Sequence, residues 1–425
     1  MSAALEQRQL PGGCPLWVLH RPGPAILSAK LWLRGGSSAD PSGQRGAAQL
    51  LAGVLSRGCG ELSGEQLADL VEGCGAGLRC ESGEDGTLVS LKCASDDAPL
   101  LLPLLLQMVH SPWLVDDQIA LERQLNLQTL QRQREDPFQL SHDQLRQQLY
   151  GDGPYGHDPL GVEPELEGLG PQQLSSLAAG LGHQGSVLVL AGVVPADVDS
   201  MLLAGVGGEA WGATAPQRRR GPTGQPGAAI ASCTDETEQL VLMLGCSTVP
   251  LGSPQALALR LLQCHLGVGM SSRLFVALRE EQGLAYDVGV HQPARLGDAP
   301  FVFHLSSSSE RAELAAEALL AEWQRLLETP LSGDELQLAK AKFRGQEAMG
   351  RQTSSQLADR LALVLGHGLP ADFADRCLTD ADQLSADDLQ AAAQQWLSQP
   401  HFSLCGPTAA LQAAEAVWQR HPLGR

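Results

Sequence analysis

Residues 265–288 read HLGVGMSSRLFVALREEQGLAYDV. A glycine-broken turn (Gly267, Gly269) leads into two serines, Ser271 and Ser272, placed to cap a helix. Leu274, Phe275 and Leu278 then recur at helical spacing, and Gly283 is the kind of residue at which such a helix stops. A strand is expected from about Ala285. Arg279 falls near the helix end and Tyr286 just beyond the turn, so a guanidinium and a phenol flank one tight turn and could address one carbonyl oxygen. On residue type alone, Arg279 reads as a solvated helix charge and Tyr286 as a half-buried strand tyrosine.

Around this stretch lies a chain of 425 residues with a formal charge of −19. That length accommodates two domains, each with its own core. The acidic balance argues against nucleic acid as the main partner, because phosphates would be repelled. The opening MSAALEQRQLPGG does not read as a signal peptide. The most apolar run, LLLPLLLQMV at Leu100–Val109, is too short to span a bilayer and contains a proline. A cytoplasmic location without membrane contact is therefore expected. The ten cysteines form no CxxC pair and read as buried, reduced thiols.

Working from the N-terminal side, CPLWVLH and ILSAKLWLRGG (14–20 and 26–36) read as two strands. Leu31 and Leu33 share one face of the second, and Lys30, Trp32 and Arg34 the other. In GAAQLLAGVLSRG (46–58), Ala47, Leu50, Leu51, Val54 and Leu55 fall at helical spacing, which predicts a buried amphipathic helix. His142, His157 and His183 stand alone in sequence, and no histidine pair lies at metal-ligand spacing on one predicted face. Dense Gly and Pro with Arg218–Arg220 mark 205–229 as an exposed linker. Beyond it, LVLMLGC (240–246) and FVFHL (301–305) read as strands, and 310–328 as a long helix with Leu319, Trp323, Leu326 and Leu327 on its apolar side. TPLSGDELQLAK (329–340) parallels SPWLVDDQIALER (111–123), with Asp334 opposite Asp117, 217 residues earlier. An offset of that size implies duplication of one domain, not a solenoid.

SRLF at 272–275, LRE at 278–280 and GLAY at 283–286 closely resemble the second half of the pitrilysin/insulinase family of zinc peptidases. EDP at 135–137 and PYG at 154–156 are also similar to that family's pattern, and the resemblance runs from about Leu31 to Pro407. It implies two homologous α+β domains, each a mostly antiparallel sheet with helices on one face, forming a half-shell. The expected division is 1–210, a linker at 211–229, and 230–425. It also implies that Arg279 and Tyr286 bind substrate and help polarise its scissile carbonyl.

The family's zinc motif, His-x-x-Glu-His, falls on the helix after Gly46. Here Gln49 and Gly53 stand at the two histidines and Ala52 at the general base; on the helix that the resemblance implies at ERQLNLQTLQRQREDPF, Glu122 matches the family's first acid and Thr129 replaces the third ligand, seven residues later. The resemblance therefore implies a chain without zinc of its own, acting as the non-catalytic subunit of a heterodimeric metalloendopeptidase. The partner would be a similar-sized subunit carrying His-x-x-Glu-His and the zinc, and the substrate a peptide. The alternative is a structural, assembly or peptide-binding protein of the same fold, including a homodimer when isolated.

Overall fold

The computed structural model describes residues 5–10, 13–204 and 229–424. The expected linker, with Arg218–Arg220, lies outside the described residues apart from Ala229. In chain order the first half contains β1 (Leu5–Gln9), β2 (Pro15–His20), β3 (Ile26–Arg34), α1 (Ala47–Leu55), the small hairpin β4 (Gly58–Cys59) and β5 (Leu62–Ser63), α2 (Gly64–Gly73), β6 (Gly77–Ser82) and β7 (Gly86–Ala94). There follow α3 (Ala98–His110), α4 (Asp116–Gln133), α5 (Pro137–Tyr150), α6 (Glu163–Glu167), α7 (Pro171–Gly180), β8 (Ser186–Gly192) and α8 (Val198–Ala204). The second half has β9 (Ile230–Thr234), β10 (Gln239–Ser247), α9 (Ala256–Gly267), a π-helical turn (Phe275–Glu281), β11 (Asp287–His291) and β12 (Pro300–Ser308). It ends with α10 (Ala312–Glu328), α11 (Gly333–Met349), α12 (Ser354–Gly366), α13 (Phe373–Gln383), α14 (Ala386–Trp396), β13 (His401–Gly406) and α15 (Thr408–Arg420).

The two main sheets have orders β1-β2-β8-β3-β7-β6 and β11-β12-β10-β13-β9. Reversed, the second matches the first strand for strand, apart from the extra β1. Each sheet is antiparallel except for one parallel pair, β2 with β8 and β13 with β9. The duplication extends to buried side chains. Ile119, Glu122, Asn126 and Leu130 face inward on α4, and Leu336, Ala339, Phe343 and Glu347, each 217 residues later, face inward on α11.

The chain divides into two compact units, and each takes one helix from the other half of the sequence. In the first unit α12 packs on β3 and β8, and in the second α5 packs on β10 and β13. This explains β3. Leu27, Leu31 and Leu33 meet the core formed with α1 and α3, as the alternation predicts. The opposite face is buried too: Trp32 is 6 % exposed and Lys30 8 %, with Lys30 Nζ 2.7 Å from Asp359 on α12. Trp32 packs so closely that a Cβ at Gly366 would lie 2.3 Å from its ring.

The apolar run around Pro103 is a core helix, α3, with Leu101, Leu102 and Leu104–Leu106 buried. No helix among the described residues is long and apolar enough to cross a membrane. In the second unit Phe301, Phe303 and Trp323 form the centre of the core, with Phe303 and Trp323 rings edge to face at 4.6 Å. The ten cysteines form no disulfide among the described residues, and burial pushes the Cys14 and Cys59 thiols up to about 11.

Candidate functional site

Two places carry the residues singled out by the sequence, one in each unit. In the first, α1 starts at Gly46, whose φ of 103° is open to glycine and strained for other residues. Asp40 supplies the cap from outside the helix: its carboxylate accepts from Gly46 N at 2.7 Å and Ala48 N at 2.8 Å. Desolvation raises the Asp40 pKa to about 6, against the lowering effect of those backbone donors.

Gln49, Ala52 and Gly53 lie on this helix as expected, Ala52 buried and the other two half-buried. Thr129 on α4 turns its hydroxyl back to the Leu125 carbonyl at 2.9 Å. The space beside Gly53 is filled by Glu122. A Cβ built at position 53 would lie 2.5 Å from Glu122 Oε2 and 3.1 Å from its Cδ. Glu122, 8 % exposed, is held there by Arg57, whose Nε donates to Glu122 Oε1 at 2.5 Å. An amide, a methyl group, a bare Cα and a hydroxyl do not fit zinc, and a guanidinium–carboxylate pair fills the ground between α1 and α4. Among the described residues no group of three or more His, Cys, Asp or Glu side chains is arranged to hold a metal ion. Arg57 carries no signal in the sequence: it stands two residues past the end of α1, and only the fold sets Glu122 of α4 opposite it.

In the second unit, the stretch from Ser271 departs from a regular helix. Val276 N donates to the Ser272 carbonyl at 3.0 Å, but among the described residues neither serine hydroxyl caps the segment. The backbone widens into the π-helical turn, with Leu274 and Leu278 fully buried. Gly283, at φ 60°, closes it: Gly283 N donates to Arg279 O at 3.2 Å and Leu284 N to Leu278 O at 2.8 Å. The following strand starts at Asp287, slightly later than expected.

This turn brings Arg279 and Tyr286 together. Arg279 Nη1 donates to the Tyr286 backbone carbonyl at 2.8 Å, and its guanidinium stacks over the Phe275 ring at 5.1 Å. Arg279 is exposed, yet it is anchored and not a loose helix charge. Tyr286 is 63 % exposed, so the half-buried reading from residue type is corrected. Its backbone is fixed in the sheet by Tyr286 N donating to Ser306 O at 2.8 Å, which leaves the phenol free to face solvent. Arg311 braces the same turn by donating to the carbonyls of Gly283 at 2.5 Å and Gln282 at 3.3 Å. It lies 25 or more residues beyond the motif and carried no signal in the sequence.

His142, which stands alone in the sequence, has histidine neighbours in the fold. Its ring meets His291 edge to face at 5.5 Å, and His304 lies nearby with its Nδ1 3.2 Å from Asp287. Desolvation and the surrounding cations lower the pKa of His291 to about 4, so this ring is neutral near pH 7.

Residues 18–161 match the family model described as insulinase (peptidase family M16), and 186–343 the model described as peptidase M16 inactive domain. The chain is 25 % identical over 425 residues to an uncharacterized zinc protease of Mycobacterium bovis, covering 96 % of this chain and 94 % of the relative. The peptidase M16 inactive domain from Pseudomonas fluorescens superposes with a TM-score of 0.85 at 22 % identity, over 95 % of this chain and 98 % of the other. A protease from Helicobacter pylori gives 0.84 at 18 % identity, over 95 % and 100 %.

Proposed function

Because the chain belongs to the M16 insulinase/pitrilysin family, we propose that it is the non-catalytic subunit of a heterodimeric metalloendopeptidase. One contrast supports this reading. The positions that align with the metal ligands and base carry Gln49, Ala52, Gly53 and Thr129, with the Arg57–Glu122 pair packed against Gly53, while Arg279 and Tyr286 stand on a braced turn with the phenol exposed. Loss of the first without loss of the second fits a chain that binds substrate for chemistry performed elsewhere. Oxyanion stabilisation depends on where the donors stand, not on which chain supplies them.

In this role Arg279 uses one N–H on the Tyr286 carbonyl, which fixes the side chain, and keeps further donors for a peptide carbonyl. The phenol of Tyr286 donates a second hydrogen bond to that oxygen. Both interactions strengthen as negative charge develops there. The partner is a similar-sized subunit with His-x-x-Glu-His and the zinc, and we place the pair in the cytoplasm. Isolation of this chain from its native source tests the reading. A co-purifying His-x-x-Glu-His protein and peptide cleavage by the mixture are expected. A chain that comes alone and inert would favour a structural or peptide-holding role.

A further inference from the structure

A cationic recess in the first unit lies where α12 begins. A cavity of about 270 Å³ is bordered there by Arg21, Ser28, Lys92, Thr353, Ser354 and Ser355. It adjoins a groove of about 520 Å³ that shares Lys92 and Ser355 and adds Lys30 and Arg79. Neither lining contains a carboxylate, in a chain that carries a net charge of −19. Lys30 is already matched by Asp359 at 2.7 Å. Arg21, Lys92 and Arg79 have no acidic partner among the described residues.

The start of α12 adds backbone donors. Thr353 is the N-cap, its hydroxyl accepting from Gln356 N at 3.1 Å, and the N–H groups of Ser354 and Ser355 stand outside the helical ladder. The independent observation is Ser28. It lies on the α12-facing side of β3, is 1 % exposed, borders the cavity, and its hydroxyl has no hydrogen-bond partner among the described residues. A buried hydroxyl without a partner costs stability and calls for an explanation. The duplicated unit shows how such a serine is satisfied when the contact is purely structural. Beneath α5, buried Ser403 meets Ser141 Oγ at 3.1 Å, donates to Ser141 O at 2.7 Å and accepts from Gln144 at 2.8 Å.

We propose that the recess at the N-terminus of α12 binds a phosphate-bearing small molecule. Arg21 and Lys92 form its cationic walls, the Ser354 and Ser355 N–H groups and the Ser354 hydroxyl hold its oxygens, and Ser28 donates from the floor, while the Ser355 hydroxyl donates to Asp359 at 3.5 Å. Two backbone N–H groups, two hydroxyls and two cationic heads exceed what one carboxylate accepts and suit a tetrahedral dianion. The adjoining groove has room for an organic portion. This site is independent of the peptidase-subunit reading.

The test is calorimetric titration of the intact chain at low salt with inorganic phosphate, adenosine monophosphate and acetate, at matched ionic strength. Saturable one-to-one binding of phosphate or the nucleotide in about the millimolar range or tighter is expected. Tighter binding of the nucleotide identifies an organic phosphate as the ligand, and equal binding identifies free phosphate. Arg21→Glu with Lys92→Glu should weaken binding by about tenfold or more, and Ser28→Ala by a few-fold, with far-UV circular dichroism unchanged. Ser28→Ala keeps the fold testable, since it removes only a buried hydroxyl. No saturation by about 10 mM of either phosphate probe, equal binding of acetate, or binding indifferent to the charge reversals would overturn the proposal.

Discussion

Adding a methyl group at position 53 sets two effects against each other. Alanine improves the helix by about 1 kcal/mol over glycine, but its Cβ would sit 2.5 Å from Glu122 Oε2, an atom pinned by Arg57. We expect Gly53→Ala to destabilise by about 1–2 kcal/mol through overpacking, and the sign to reverse in a Glu122→Ala background, where only the helical gain remains. A double-mutant cycle in urea reads this directly. The same packing bears on metal binding. Restoring the motif by Gln49→His, Ala52→Glu, Gly53→His and Thr129→Glu should leave zinc well below one atom per chain by elemental analysis, because Glu122 and Arg57 hold the ground the new imidazole needs. Stoichiometric zinc would show that the pair gives way. At the other site, Arg279→Ala or Tyr286→Phe should lower turnover of the assembled peptidase by about 10²-fold, the scale of one lost oxyanion donor, while the complex still forms on gel filtration. Unchanged turnover would move the protein to the structural reading.

At the scale of elements, α1 was legible because its apolar positions repeat at helical spacing, whereas α4, which buries Glu122 and Asn126 beside Ile119 and Leu130, was legible only through the family resemblance; the repeat in α11 matches it position by position. Two features escaped. The π-helical turn leaves no side-chain signature, since Leu274 and Leu278 are buried in either helix type. The burial of Lys30 and Trp32 depends on α12, more than 300 residues away in sequence, and strand alternation reports which residues share a face, not what later covers it. The substitutions at Gln49, Ala52, Gly53 and Thr129 could be read from the sequence, whereas the Arg57–Glu122 pair that fills the space could not. The end of α9 provides a titratable test of the second core. His265 is 5 % exposed, and desolvation lowers its pKa to about 4, opposed by Glu335 at 3.9 Å and reinforced by Arg273, Lys342 and Arg325. A histidine whose folded pKa lies below its unfolded value of about 6.5 binds fewer protons when folded, so stability rises with pH across that window and is level above it. At pH 5 this group should cost about 2 kcal/mol relative to pH 7. The urea midpoint of the wild type should fall accordingly, and that of His265→Gln should fall less; parallel curves would refute the assignment.

For the whole molecule, the exchange of helices governs how the chain can be divided. The expected linker at 211–229 falls between the strands of the two sheets, but each compact unit is completed by a helix from the other half. A fragment ending at residue 204 keeps β3 and β8 yet lacks α12, so Ser28, Lys30 and Trp32 lose their cover and Lys30 loses Asp359. The complementary fragment from 229 lacks α5, which exposes Val241 and Met243 on β10 and removes Ser141 and Gln144 from buried Ser403. Each exposed large side chain costs about 1.5–3 kcal/mol of burial, several together matching the whole stability of an ordinary domain. We therefore expect each fragment expressed alone to be aggregated or protease-sensitive. Expressed together, the two should assemble into a soluble complex with the circular dichroism of the intact chain, since every contact within each unit is restored and only the connection is missing. A fragment 1–204 that folds by itself with a sharp thermal transition would show that α12 is an accessory to the first unit and not part of its core. The covering helices also limit engineering of the proposed peptidase role: a partner tag or a protease site belongs in 211–229 of the uncut chain, where neither sheet loses its helix.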